Sequence, residues 1–127
     1  METITFRIDA PIPSRANERK HWAEKRRITK AQRDEAQMLA KSALRRKRLA
    51  FPVTVLLTRV SPRELDDDNL RGAFKAFRDG IADALGVDDR DPRVKWQYAQ
   101  EKGKPQHAEI QIREANRETM GCYRAGV

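Results

Sequence analysis

The chain has 127 residues, a formal net charge of +8, and 39% hydrophobic against 36% charged residues. That length suits one domain with a single modest core, and the longest apolar run, around Val53 to Leu57, is far short of a membrane span. A single cysteine, Cys122, excludes an internal disulfide and a cysteine-based zinc site, and His21 and His107 are too few for a histidine-rich metal site.

Residues 1–5, Met-Glu-Thr-Ile-Thr, lack the charged and apolar regions of a signal peptide, so a reducing, cytoplasmic setting is expected. Residues 3–8 alternate, with Ile4, Phe6 and Ile8 on one face, and read as a short strand. Pro11 and Pro13 break it, because proline cannot donate to a strand ladder and restricts its predecessor. From about Thr29 to Arg48 there is no Gly or Pro, and Ile28, Ala31, Ala36, Leu39, Ala43 and Leu44 form a patchy stripe, which predicts a long basic helix. Residues 1–50 hold 14 Lys and Arg against 6 Asp and Glu, whereas residues 51–127 hold 13 against 13. An excess confined in this way is the footprint expected of a polyanion-binding surface, and equally the composition of a solvated basic helix.

After Pro52, Val53 to Val60 is strongly strand-like. Leu70, Ala73, Phe74, Phe77, Ile81, Ala84 and Leu85 then recur at helical spacing, with Asp68 or Asn69 as N-cap and Gly86 as the stop. Val94–Gln100 and His107–Arg113 read as strands joined by a hairpin across Lys102-Gly103-Lys104-Pro105. Residues 115–127 carry no pattern. The order β-α-β-α-β-β predicts one α/β domain with a small mixed sheet and two main helices.

Asp66-Asp67-Asp68-Asn69 is the most informative segment. Carboxylates crowded this closely repel one another unless a cation sits among them, and hard oxygen ligands suit a divalent metal. If the segment is extended, Asp66 and Asp68 project to one side and Asp67 to the other. Asp88, Asp89 and Asp91 form a second acidic group beyond the helix. A helix of roughly 16 residues is about 24 Å long, so Asp89 meets Asp68 only if a loop folds back or if it comes from a second subunit. A helix cap alone would also leave an acidic run here. The spacing does not match an EF-hand, because the central glycine and closing glutamate are missing. A carboxylate-only Mg²⁺ site suits phosphodiester hydrolysis, with a nearby cation to stabilise developing charge; Lys75 and Arg71 are the local candidates.

Pro13-Ser14 and Asn17 after the first strand, Asp66-x-Asp68-Asn69-Leu70 before a helix, and Val87-Asp88-Asp89 after it resemble the RusA-type Holliday junction resolvases. The resemblance covers roughly residues 3–113. It implies a RusA-like endonuclease domain over residues 1–114, and the patternless residues 115–127 read as a loose tail. It further implies a homodimeric endodeoxyribonuclease of DNA recombination and repair, dependent on Mg²⁺ (with Mn²⁺ as a substitute), that makes paired nicks across four-way junctions. No membrane and no small-molecule cofactor is implied. The metal ligands it implies are Asp66, Asp68 and Asp89, with Asp88 and Asp91 as alternatives in neighbouring register. One position departs from the pattern: the family's catalytic lysine falls four residues after the second motif aspartate, where this chain has Gly72. Lys75 is offset from that position by about 60° around the helix, and Arg71 is an electrostatic substitute.

On this reading Arg15, Arg19, Lys20, Lys25, Arg26, Arg27 and Lys30 contact phosphates of the junction arms, positioning DNA without reading its sequence. Trp22, within the same run, can stack on an exposed base, although tryptophan beside a helix start is more often packed in a core or interface. His21 reads as a polar surface residue, and Phe74 and Phe77 as core rather than as wedges between base pairs. Lys102 and Lys104 are further phosphate contacts or a solvated turn, and Cys122 is incidental. Two other readings remain: a junction binder that does not cut, favoured by Gly72, and a small basic RNA-binding or adaptor protein whose acidic loop only caps a helix.

Overall fold

The period-2 and period-3.6 patterns resolve into six elements in the predicted order: β1 (Thr3–Ile8), α1 (Trp22–Arg46), β2 (Val53–Val60), α2 (Asp67–Leu85), β3 (Val94–Glu101) and β4 (His107–Glu114). The computed structural model describes residues 2–14, 21–47 and 49–115. The strands form one four-stranded mixed sheet in the order β1-β4-β2-β3. β4 is antiparallel to both β1 and β2, whereas β3 is parallel to β2. Alternate residues from one face of the sheet, among them Ile4, Ile8, Val55, Leu57, Ile110 and Ile112, form a single core with Ala36 and Ala40 of α1 and Leu70, Phe74, Phe77 and Ile81 of α2. Both helices therefore lie on the same face, giving two layers. None of the helices among the described residues is long and apolar enough to cross a membrane.

The predicted hairpin between β3 and β4 does not form. Val60 pairs with Glu101 of β3 on one side and with His107 of β4 on the other, so β2 lies between them. The connector passes over the end of β2, where the Ser61 amide donates to the Glu101 carbonyl (3.1 Å) and the Gly103 amide to the Ser61 carbonyl (3.2 Å). A Cβ on Gly103 would lie 3.1 Å from Val60 Cγ1, so the connector hugs the strand it crosses. A short connector of this composition serves a hairpin or the crossing of a single strand. What decides is burial: seven of the eight residues of β2 are buried, the environment of a central strand covered by neighbours on both edges.

α1 begins at Trp22 rather than near Thr29, and its 25 residues make it the longest element. His21 caps it, Nδ1 accepting from the Ala23 amide at 3.2 Å. The first two turns lie largely in solvent, so they carry no apolar stripe to advertise a helix. Trp22, expected to pack, is instead 62% exposed. Phe74 and Phe77 are core as expected, their rings edge to face with centroids 6.3 Å apart. Arg15, Arg19, Lys20 and Asn17, like Cys122 and residues 116–127, lie outside the described residues.

Candidate functional site

The acidic segment starts α2, but two residues earlier than its pattern suggested. Asp66 is the N-cap, extended at φ −69° and ψ 168°, and Asp67 and Asp68 already belong to the first helical turn. The expected strand-like alternation of Asp66 and Asp68 therefore does not occur. Both Asp66 oxygens serve the cap: Oδ1 accepts from the Asn69 amide at 2.8 Å and Oδ2 from Asn69 Nδ2 at 3.1 Å. Such caps contribute about 1 kcal/mol. Asp67 and Asp68 are exposed and make no hydrogen bond or ion pair among the described residues. They add negative charge at the positive end of the helix dipole.

Two side chains that the sequence reading passed over hold this end in place. Gln100 of β3 clamps the residue before the cap, donating to the Leu65 carbonyl at 2.6 Å and accepting from its amide at 3.0 Å. Arg59, 6% exposed, donates from Nε to the Ile12 carbonyl (2.7 Å) and from Nη1 to the Arg63 carbonyl (2.6 Å). Burial lowers its pKa from the usual arginine value. Arg59 thereby ties the Pro11–Ser14 segment to the loop leading into Asp66, and the two parts of the motif share one end of the sheet. An arginine on the core-facing parity of a central strand was the signal available for this role.

The second acidic group lies at the other end. α2 spans 19 residues, about 28 Å, and β3 starts opposite Val53, at the far end of β2 from the Asp66 loop. No fold-back brings Asp89 to Asp68 within the chain. Among the described residues of one copy, no three His, Cys, Asp or Glu side chains gather as a metal-binding group, so a single copy does not fit a three-carboxylate Mg²⁺ site. Arg78 of α2 organises this end. It donates to the Asp89 carbonyl (2.9 Å) and the Tyr98 hydroxyl (2.9 Å), and lies 4.7 Å from the centroid of the Trp96 ring. Trp96 Nε1 donates to the same Asp89 carbonyl at 3.1 Å.

The three candidate third ligands differ in how far they are committed. Asp91 is engaged by Arg93 through both oxygens, at 2.7 and 3.1 Å, which pushes its pKa down to about 2. Asp88 accepts from the Arg90 amide at 2.9 Å, and that bond is the main cause lowering its pKa. Asp89 has a looser contact, Oδ2 lying 3.9 Å from Arg78 Nε. Lys75 leans toward this end as well: its Nζ is 3.8 Å from Asp79, and it lines an open polar depression with Asp79, Asp83, Asp88 and Asp89. Lys75 thus faces the second acidic group rather than Asp68. Arg71 rests its guanidinium 5.8 Å from the Tyr98 ring centroid. At Gly72 an added Cβ would have nothing within 4 Å.

Arg33 joins the helices beside that depression, with Nε and Nη2 donating to Asp83 at 2.7 and 2.9 Å. The hydrogen bond from Arg33 is the main cause holding the Asp83 pKa below its ordinary value. A depressed carboxylate contributes stability above its unfolded pKa, near 4, and that contribution is lost as pH falls through the folded value. Asp83→Asn is therefore expected to lower stability at pH 7 by about 1 kcal/mol or less for this partly exposed pair. The difference from the native protein should shrink on acidification below pH 4, as followed by thermal melts at both pH values.

Of the predicted phosphate contacts, Lys25, Arg26, Arg27 and Lys30 stand on the first turns of α1; Arg26, Arg27 and Lys30 are exposed, and Lys30 pairs with Asp34 at 2.7 Å. Fold and site together define a small mixed α/β domain with a basic helix and a second helix whose N-terminus is acidic. No family model matches the chain. A Xylella fastidiosa (strain Temecula1) protein described as "Uncharacterized protein" is 40% identical to it, across 71% of this chain and 61% of that protein. The chain thus spans less than two thirds of that relative's length.

Proposed function

We propose that the chain is a metal-dependent, structure-selective endonuclease of the RusA type, acting as a homodimer on four-way DNA junctions. One observation carries this reading: Asp68, exposed and without a hydrogen bond or ion pair among the described residues, stands at one end of α2, and Lys75, Asp88 and Asp89 line an open depression toward the other. The sheet ends beside them in β3, an edge strand with half-buried Trp96 and Tyr98. A twofold axis passing through that edge perpendicular to β3 would run two α2 helices antiparallel. Asp66 and Asp68 of one copy would then meet the Asp89 group of the other, twice, as paired nicking of a symmetric junction needs. A divalent ion held there supplies Lewis acidity toward a phosphoryl oxygen and an activated water. Lys75 offers positive charge for the oxygen that becomes more negative in the transition state. The exposed arginines of α1 offer sequence-independent phosphate contacts.

The direct test is cleavage of a labelled four-way junction with and without Mg²⁺, beside a linear duplex. Paired nicks that need metal and spare the duplex support the proposal. Tight junction binding without nicks in Mg²⁺ or Mn²⁺ would leave a binding protein.

That second reading has its own observation, Gly72. Because an added Cβ at this exposed position meets nothing within 4 Å, Gly72→Lys is a mild way to introduce a cation. It is expected to raise single-turnover nicking by about tenfold or more, the scale of one well-placed charge-stabilising group. An unchanged rate would leave Lys75 as the cation of the site.

A further inference from the structure

Trp22 is unusual in being a tryptophan left 62% exposed; the other tryptophan, Trp96, is half-buried and hydrogen-bonded. Tryptophan, with a large apolar body and a polar N–H, is enriched at binding interfaces. The Arg26 guanidinium lies 5.7 Å from the Trp22 ring centroid, and the His21 ring lies 5.6 Å away at an interplanar angle of 35°. Trp22, Arg26 and Lys30 fall at i, i+4 and i+8, one face of α1. They sit within the first fifty residues, which carry the whole excess of positive charge.

We infer that this face of α1 is a stacking platform for an unpaired nucleic-acid base. The proposal rests on the nucleic-acid reading above and deepens it by naming what distinguishes a branched or open strand from plain duplex. A paired base hides both faces in the helical stack, whereas a base freed at a branch point offers a face to an aromatic ring, whatever its identity. Arg26 and Lys30 then lie where the phosphates on either side of that base would pass, and their charge favours the strand over an apolar partner. A surface meant for another apolar protein surface would be flanked by apolar residues, but among the described residues the next exposed side chains along this face are Arg26 and Lys30, the latter paired with Asp34.

The test compares native protein, Trp22→Ala, Trp22→Phe and Arg26→Glu. The probes are a junction carrying unpaired thymines at its centre, a single-stranded oligothymidine and a linear duplex. Trp22→Ala is expected to weaken binding of the first two probes about tenfold, while duplex binding is unchanged. Trp22→Phe should retain most of the affinity. Oligothymidine should quench the native fluorescence but not the residual Trp96 emission of Trp22→Phe. Arg26→Glu should weaken all three probes and flatten the salt dependence. Equal loss on all probes with Trp22→Ala would make the face a phosphate contact only and overturn the proposal. So would dissociation of a native dimer by Trp22→Ala, which would make the face a contact between copies. Quenching by oligothymidine without any preference for junctions would sustain the platform while removing the junction reading. Absence of both quenching and binding would remove both.

Discussion

Mixing the Asp68→Asn and Asp89→Asn proteins is expected to restore junction nicking that neither variant shows alone. The expectation follows from the length of α2, which separates the two acidic groups within one chain by about 28 Å. If each site takes Asp66 and Asp68 from one copy and Asp89 from the other, a mixed dimer holds one site with both lesions and one with none. With random pairing half the dimers are mixed, so about a quarter of the native sites are rebuilt. The product should be single nicks, because only one strand of each junction meets an intact site. Asp68 makes no hydrogen bond or ion pair among the described residues, and Asp89 holds Arg78 and Trp96 chiefly through its backbone carbonyl, its carboxylate lying 3.9 Å from Arg78 Nε. Neither amide substitution therefore threatens the fold. The measurement is nicking by the two variants purified separately and after joint refolding, with circular dichroism as the folding control. Inactivity of the mixture, with mixed dimers demonstrated, would sink the shared-site arrangement. If Asp89→Asn alone stays active, Asp88→Asn takes its place in the same experiment, since Asp91 is tied up by Arg93.

The second large effect concerns stability. Gly80→Ala is expected to destabilise the protein by about 2 kcal/mol or more, while Gly72→Ala in the same helix is neutral or stabilising by up to about 1 kcal/mol. Both glycines lie inside α2, where alanine is the better helix former. At Gly72 the new methyl meets open solvent. At Gly80 it overlaps the Arg33 carbonyl oxygen and comes within 3.0 Å of the Ala36 Cβ and the Gln37 amide nitrogen of α1. Those obstacles are mostly backbone, so they cannot swing aside as a side-chain tip would. The helices must separate, loosening Ala36 and Ala40 from the core and straining the Arg33–Asp83 pair. A total stability on the order of 5–15 kcal/mol makes such a loss large. Denaturant unfolding of the two variants checks the sign at each position; equal effects would mean that the helix contact tolerates a methyl group.

Periodicity made most elements legible because it reports which face of a segment is buried. β1 and β2 fall where their apolar patterns lie, and α2 starts and stops at its acidic run and at Gly86, whose positive φ of 74° suits glycine. The start of α1 was illegible for the converse reason, since turns that bury nothing need no apolar stripe. The cap position was missed because Asp66, Asp67, Asp68 and Asn69 are all competent caps. Only the backbone path selects Asp66, and with it the loss of the strand-like alternation. Arg78 and Gln100 act on backbone carbonyls distant in sequence, which no local pattern records, whereas Arg59 is betrayed only by its core-facing parity in β2.

By itself the sequence determined which segments are helix or strand, where the basic charge and the two acidic groups lie, and that one modest core serves the whole. These follow from local propensity and burial period, which neighbouring residues decide among themselves. Only the tertiary structure decided that β4 inserts between β1 and β2, that the acidic groups stand at opposite ends of α2, and that Trp22 faces solvent. Strand order and end-to-end separation depend on which long-range pairings bury the most apolar surface, and β2 settled that competition by taking neighbours on both edges.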